Sequence, residues 1–125
     1  MQRTELKAVD FVIANLKKEG WSVKTRKEMK WIGFDLLAIK GDEIRFIEVK
    51  GTAKPFAIPD MAETEFTRNL TLIATHLYIV GNVRENPRLY IIPRRCFKQE
   101  YFRIKRTVHF KRKFNDEIQK CAKPN

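Results

Sequence analysis

The sequence has only two cysteines, few prolines and glycines, and no long apolar run. Cys96 and Cys121 lack the spacing of a metal site or redox motif, which predicts a reduced intracellular protein; a single disulfide between them is the alternative. No stretch approaches the roughly 20 apolar residues of a membrane span, and none resembles a signal-peptide core. We therefore expect no membrane association, and a cytoplasmic protein. The absence of repeats and linkers predicts one domain over residues 1–125.

Acidic residues are also scarce relative to basic ones. The chain has 26 Lys and Arg against 15 Asp and Glu, a net charge of +11 and a pI near 9.9. This balance predicts a polyanionic partner, with nucleic acid favoured over an anionic membrane surface. A basic protein that is merely soluble is the alternative.

The positive charge is concentrated near the C-terminus. Residues 94–113 include nine Lys or Arg and one acid, a local net charge of +8. The interleaved aromatic residues are interpreted mostly as core. The candidate nucleic-acid-binding residues are Lys54, Arg94, Arg95, Lys98, Arg103, Lys105, Arg106, Lys111, Arg112 and Lys113.

Hydrophobic periodicity predicts an α/β protein with a mixed central sheet flanked by helices. The predicted order is a helix (3–18), an edge strand (21–25), two hairpin strands (33–39 and 44–51), a helix (60–74) and two strands (76–80 and 88–92). The helix between the third and fourth strands acts as a crossover connection. A short helix (93–101), a basic strand and a helix (115–121) follow, so residues 1–93 form the predicted core and residues 94–125 a basic extension.

The predicted hairpin brings three charged residues together. If Gly41-Asp42 is the two-residue turn, opposed residues have numbers that sum to 83, and Asp35 faces Glu48. Lys50 lies on the same face as Glu48 because side chains alternate along a strand. Opposed Cβ atoms are about 5 Å apart. Two carboxylates this close repel unless a cation or a shared proton intervenes, and hard oxygen ligands favour Mg²⁺ or Mn²⁺.

A solvated ion pair on an exposed strand is the alternative for Glu48 and Lys50. Their face also carries apolar side chains, which argues against a simple polar surface and for a metal site. These are Leu37, Ile39, Ile44 and Phe46.

Gly-Phe-Asp35, followed by Glu48-Val-Lys50 after a helix and before a β-α-β crossover, resembles the restriction-endonuclease-like superfamily, PD-(D/E)xK. Gly33-Phe34 replaces the usual proline. The resemblance implies that Asp35, Glu48 and the Val49 carbonyl bind one or two Mg²⁺ and that Lys50 assists attack by water. Glu5 is the candidate for the glutamate that many members carry on the first helix; a favourable charge in the first helical turn is its alternative role.

The resemblance implies a metal-dependent DNA endonuclease that acts as a homodimer, is associated with the nucleoid and needs no organic cofactor. Both a Holliday-junction resolvase-like enzyme and a restriction-system nuclease are consistent with it. The alternatives are a non-catalytic nucleic-acid-binding module with the same fold and, ranked last, an RNA-directed protein.

Overall fold

The computed structural model describes residues 3–29, 34–62, 73–104 and 107–124. Within these ranges, two α-helices, α1 (Arg3–Lys18) and α2 (Asn115–Cys121), accompany nine strands. The strands are β1 (Ser22–Thr25), β2 (Leu36–Lys40), β3 (Glu43–Gly51), β4 (Met61–Ala62), β5 (His76–Gly81), β6 (Arg88–Pro93), β7 (Phe102–Ile104), β8 (Thr107–Phe110) and β9 (Lys123–Pro124).

The central sheet has six strands in the order β1-β2-β3-β5-β6-β9. Strands β3 and β5 are parallel and every other pair is antiparallel. A parallel pair needs a crossover between its strands, whereas an antiparallel pair can be joined by a tight turn. The sheet is therefore mixed, which confirms the predicted fold class.

The predicted hairpin register is confirmed through Leu36, which pairs with Ile47, and Lys40 pairs with Glu43 at the turn. Gly41 has φ +60°, a conformation that glycine adopts at little cost. Side chains of β2 and β3 therefore keep the faces that the alternation assigns to them.

Helix α1 covers one face of the sheet. Ala8, Val12 and Leu16 recur at helical spacing and pack against a layer of buried strand residues. That layer consists of Leu36, Ala38, Ile47, Val49, Tyr78, Val80 and Leu89.

The basic C-terminal segment covers much of the opposite face. Cys96, Tyr101, Phe110, Ile118 and Ala122 pack there against the apolar residues of β5 and β6. Strands β4, β8 and β7 form a second, three-stranded sheet. The segment from residue 94 onward thus contributes directly to the hydrophobic core.

The predicted helix over residues 60–74 is wrong at its start. Met61 and Ala62 form β4, which pairs with Val108 and Thr107 of β8. This pairing joins segments far apart in the sequence, so local periodicity carries no signal for it. The middle of the predicted helix, residues 63–72, lies outside the described residues.

Two further predictions about the C-terminal segment need correction. The short helix predicted over residues 93–101 is two 3₁₀ turns, Arg94–Cys96 and Gln99–Tyr101. Cys96 and Cys121 are joined in a disulfide, with Cα atoms 6.2 Å apart, so the prediction of reduced cysteines is wrong. Fold geometry brings the two positions together, which their spacing of 25 residues does not reveal.

Within the described ranges, no helix is long and apolar enough to cross a membrane.

Candidate active site

The end of β3 carries a buried carboxylate and a buried ammonium. Glu48 is 3% exposed and Lys50 8% exposed. They pair in the parallel ladder with Leu77 and Ile79, which are fully buried. Burying a charge is costly unless other charges or hydrogen bonds compensate it. The region around these two residues is therefore where a functional site is expected.

Asp35 lies one residue before β2 and joins this group. Its backbone N–H donates to the Ile47 carbonyl (2.9 Å), and its Oδ2 accepts a hydrogen bond from the Val49 N–H (2.8 Å). The β2–β3 ladder ends at Leu36, and beyond it the Asp35 carboxylate contacts β3 through its side-chain hydrogen bond. It also interacts with the side chain of Glu48, so the predicted proximity of the two carboxylates is confirmed.

Burial is the main influence on the pKa of Asp35 and raises it above its usual value. The Val49 N–H, the Glu48 side chain and the positive charges of Arg26 and Lys50 act in the opposite direction without cancelling that effect. Burying two neighbouring carboxylates in their charged form is unfavourable, and a bound cation would offset that free-energy cost.

Glu5, the candidate glutamate of the first helix, lies beside Lys50. Glu5 Oε1 is 3.3 Å from Lys50 Nζ. The proximity depends on Gly51, where an added Cβ would lie 2.9 Å from Ala8 Cβ and 3.0 Å from the Thr4 carbonyl oxygen. The absence of a side chain at Gly51 thus allows the first turns of α1 to approach the end of β3.

Arg26 was missed by the sequence analysis. Its Nη2 is 2.9 Å from Asp35 Oδ1, while its side chain remains half exposed. The contact is produced by the turn after β1, which returns the chain toward the hairpin. The sequence offers no local signal that distinguishes Arg26 from the other basic residues.

The donor set fits a hard divalent cation. Backbone groups of alternate residues in a strand point to the same side. The Val49 carbonyl therefore points to the side of β3 on which Asp35 lies, as does the Ile47 carbonyl that accepts the Asp35 N–H. Across the described part of the chain, no cluster contains three or more His, Cys, Asp or Glu side chains suited to a metal. Two carboxylates and one carbonyl still suit Mg²⁺, which commonly takes one or two carboxylates and completes its coordination with water and substrate phosphates.

The predicted nucleic-acid-binding residues divide into three groups. Lys54 and Arg112 line a cavity of about 490 Å³ that also borders Gly51 and Thr52, next to the candidate site. A second group is exposed: Arg94, Arg95, Lys98, Lys111 and Lys113. Among these, the Arg94 guanidinium also donates to the Ala74 carbonyl. Lys105, Arg106 and the side chain of Arg103 lie outside the described residues.

The overall structure is similar to a solved archaeal resolvase. The match is to Archaeoglobus fulgidus Hjc, a Holliday junction resolvase from an archaeal hyperthermophile, with a TM-score of 0.64 and 13% sequence identity. It covers 95% of this chain and 89% of that one. At this identity the likeness establishes the nuclease-like fold alone.

Comparison with curated proteins gives no significant match. The family model described as Protein NO VEIN, C-terminal matches residues 4–92, which cover the hairpin, β5 and all but one terminal residue each of α1 and β6. The chain therefore belongs to the Protein NO VEIN, C-terminal family.

Proposed function

We propose that the protein is a metal-dependent DNA endonuclease that hydrolyses phosphodiester bonds. The observation that carries the proposal is the meeting of Asp35, Glu48 and Lys50 at the buried end of the hairpin, with Glu5 against Lys50. The resolvase-like fold and the net charge of +11 support a nucleic-acid substrate.

Asp35, Glu48 and the Val49 carbonyl would hold the metal, Mg²⁺ or Mn²⁺. When bound, such an ion neutralises charge on the phosphate and lowers the pKa of water. Lys50 carries a positive charge on the same buried end of β3, suited to stabilising negative charge that develops on the phosphate. Glu5 orients the Lys50 ammonium, and Arg26 restrains the Asp35 carboxylate from the solvent side.

We further propose that the substrate is branched DNA and that the protein acts as a homodimer. Cutting both strands of one junction requires two sites, and a two-fold axis supplies them from identical chains. Light scattering should give the mass of two chains; the mass of one chain at working concentration would contradict the dimer.

The nuclease proposal is tested by incubating plasmid and four-way-junction DNA with Mg²⁺, with Mn²⁺ and with EDTA. We expect metal-dependent cleavage. Asp35→Asn should lower the cleavage rate at least about 100-fold, because the metal supplies several kcal/mol of transition-state stabilisation. DNA affinity measured in EDTA should change little, since basic residues elsewhere supply most of it.

The matched control is Asp42→Asn, which removes a carboxylate from the exposed turn of the same hairpin and should leave cleavage unchanged. Undiminished cleavage by Asp35→Asn would contradict the assignment. Tight binding without cleavage of any substrate would instead support a non-catalytic binding module.

A further inference from the structure

We propose that Arg3 and Lys7 of α1 and Arg84 of the β5–β6 turn form a second phosphate-binding site. Its ligand is an internal backbone phosphate of the nucleic acid, close to the phosphodiester that is cut. The identity of this ligand rests on the proposed function. None of the three residues belongs to the basic C-terminal segment.

The three cations surround one cavity. Arg3, Thr4, Lys7 and Arg84 line a space of about 360 Å³. Arg3 and Lys7 are one helical turn apart and lie on the same side of α1, while Arg84 comes from a different element. All three cations are exposed, and within the described ranges no carboxylate forms an ion pair with any of them.

The chemistry of the lining favours a phosphate. Guanidinium groups bind phosphate oxygens through paired hydrogen bonds, which makes arginine well suited to phosphate recognition. The cavity also borders the start of α1, where unpaired backbone N–H groups and the helix dipole add partial positive charge.

The turn that carries Arg84 is held in place relative to the candidate active site by its backbone. The β5–β6 turn is bonded to the loop after Lys50: the Asn82 N–H donates to the Lys54 carbonyl (2.8 Å) and the Val83 N–H to the Thr52 carbonyl (3.0 Å). Gly81 packs so closely on the Pro55 carbonyl that a Cβ would overlap it. The backbone that carries Arg84 therefore keeps its place beside the loop that follows Lys50.

The cavity lies next to the candidate active site. Thr4 lines both this cavity and the larger one bordered by Lys54 and Arg112. Glu5, the residue after Thr4, contacts Lys50. A nucleic-acid strand carries phosphates at short, regular intervals, so a strand that passes Lys50 can present a phosphate to Arg3, Lys7 and Arg84.

The test measures DNA affinity against salt concentration in EDTA, by fluorescence anisotropy with a duplex that has no 5′-phosphate. Each phosphate contact contributes about 0.9 to the slope of log K against log salt. Because the three cations bind one phosphate, Arg3→Gln combined with Arg84→Gln should reduce the slope by about 0.9, and Lys7→Gln alone by no more than that. Circular dichroism confirms that the variants remain folded.

The matched control is Lys17→Gln combined with Lys18→Gln, which removes the same charge from the opposite end of α1. A slope close to that of the unaltered protein is expected for this pair. Equal effects of the two pairs, or no effect of Arg3→Gln with Arg84→Gln, would overturn the proposal.

A duplex with a 5′-phosphate identifies the source of the bound phosphate. The same slope change on both duplexes supports an internal phosphodiester, whereas a change only on the phosphorylated duplex would overturn that assignment in favour of a terminal phosphate. Because these measurements need no cleavage, a failed nuclease assay does not affect them, and an active nuclease with an unchanged slope contradicts this proposal alone.

Discussion

Glu48 and Lys50 are polar residues in positions that normally hold apolar ones. Both lie on a sheet face whose neighbouring β5 positions, Leu77 and Ile79, are fully buried. Replacing buried charged pairs with well-packed apolar residues often stabilises a protein. Their presence here therefore fits a role in chemistry better than a role in holding the fold together.

His76 provides a residue-scale prediction about pH. Burial is the main reason that its pKa falls from 6.5 to about 4, and the positive charges of Arg45, Arg95 and Arg94 lower it further against the opposing effect of Glu43. The folded protein therefore keeps His76 neutral between these values while the unfolded chain takes up a proton. Stability contributed by His76 is present above pH 6.5 and is lost as the pH falls toward 4.

Because the ring is only half buried, we expect a loss of about 1 kcal/mol after allowing for solvent screening. Urea denaturation at pH 7.5 and pH 5 measures it, and His76→Gln is the control that lacks the titrating group. The variant should lose less stability than the unaltered protein between the two pH values. An identical loss in both proteins would contradict the prediction.

At the scale of elements, the turn between β5 and β6 is as important as the hairpin. The hairpin positions the acidic residues, whereas this turn is tied by backbone hydrogen bonds to the loop that follows Lys50. The close packing of Gly81 on Pro55 is part of the same contact. The loop beside the candidate site thus depends on β5 and β6 for its position.

Gly81→Ala should cost at least about 2 kcal/mol of unfolding free energy, because the new Cβ would overlap backbone that cannot easily move. Gly41→Ala is the control: its φ is +60°, yet nothing lies within 4 Å of an added Cβ, so only the backbone strain of about 1 kcal/mol applies. Urea unfolding compares the two variants. The prediction fails if Gly81→Ala is no more destabilising than Gly41→Ala.

At the scale of the whole molecule, the basic C-terminal segment is both a charged surface and a part of the core. Its residues 94–113 carry a net charge of +8, while Cys96, Tyr101, Phe110 and Ile118 pack against the central sheet. Strand β9 also extends the sheet beside β6. The positive surface is therefore anchored on the same sheet that carries the candidate site.

The disulfide between Cys96 and Cys121 closes a loop across this segment. A loop of this length is worth about 3 kcal/mol through the restriction of the unfolded chain. Reduction should therefore lower the melting temperature by about 10 °C. The double variant Cys96→Ala with Cys121→Ala is the control, since its melting temperature should not respond to reductant; an equal response in both proteins would contradict the prediction.

The acidic pair, Lys50 and the hairpin register could be predicted from the residues alone. The reason is that alternation along two strands joined by a two-residue turn is a local rule, which holds whatever surrounds the hairpin. Helix α1 was equally predictable, because its apolar positions recur at the helical period.

Contacts between distant segments could not be predicted from the sequence and became evident only from the tertiary structure. Four contacts join parts of the chain that no periodic pattern relates. They are the salt bridge from Arg26 to Asp35, the pairing of β4 with β8, the disulfide, and the cavity that Arg84 shares with Arg3 and Lys7. Such contacts depend on how turns and crossovers return the chain to the sheet. Local patterns therefore indicated which residues were candidates for chemistry, and packing determined which charges surround them.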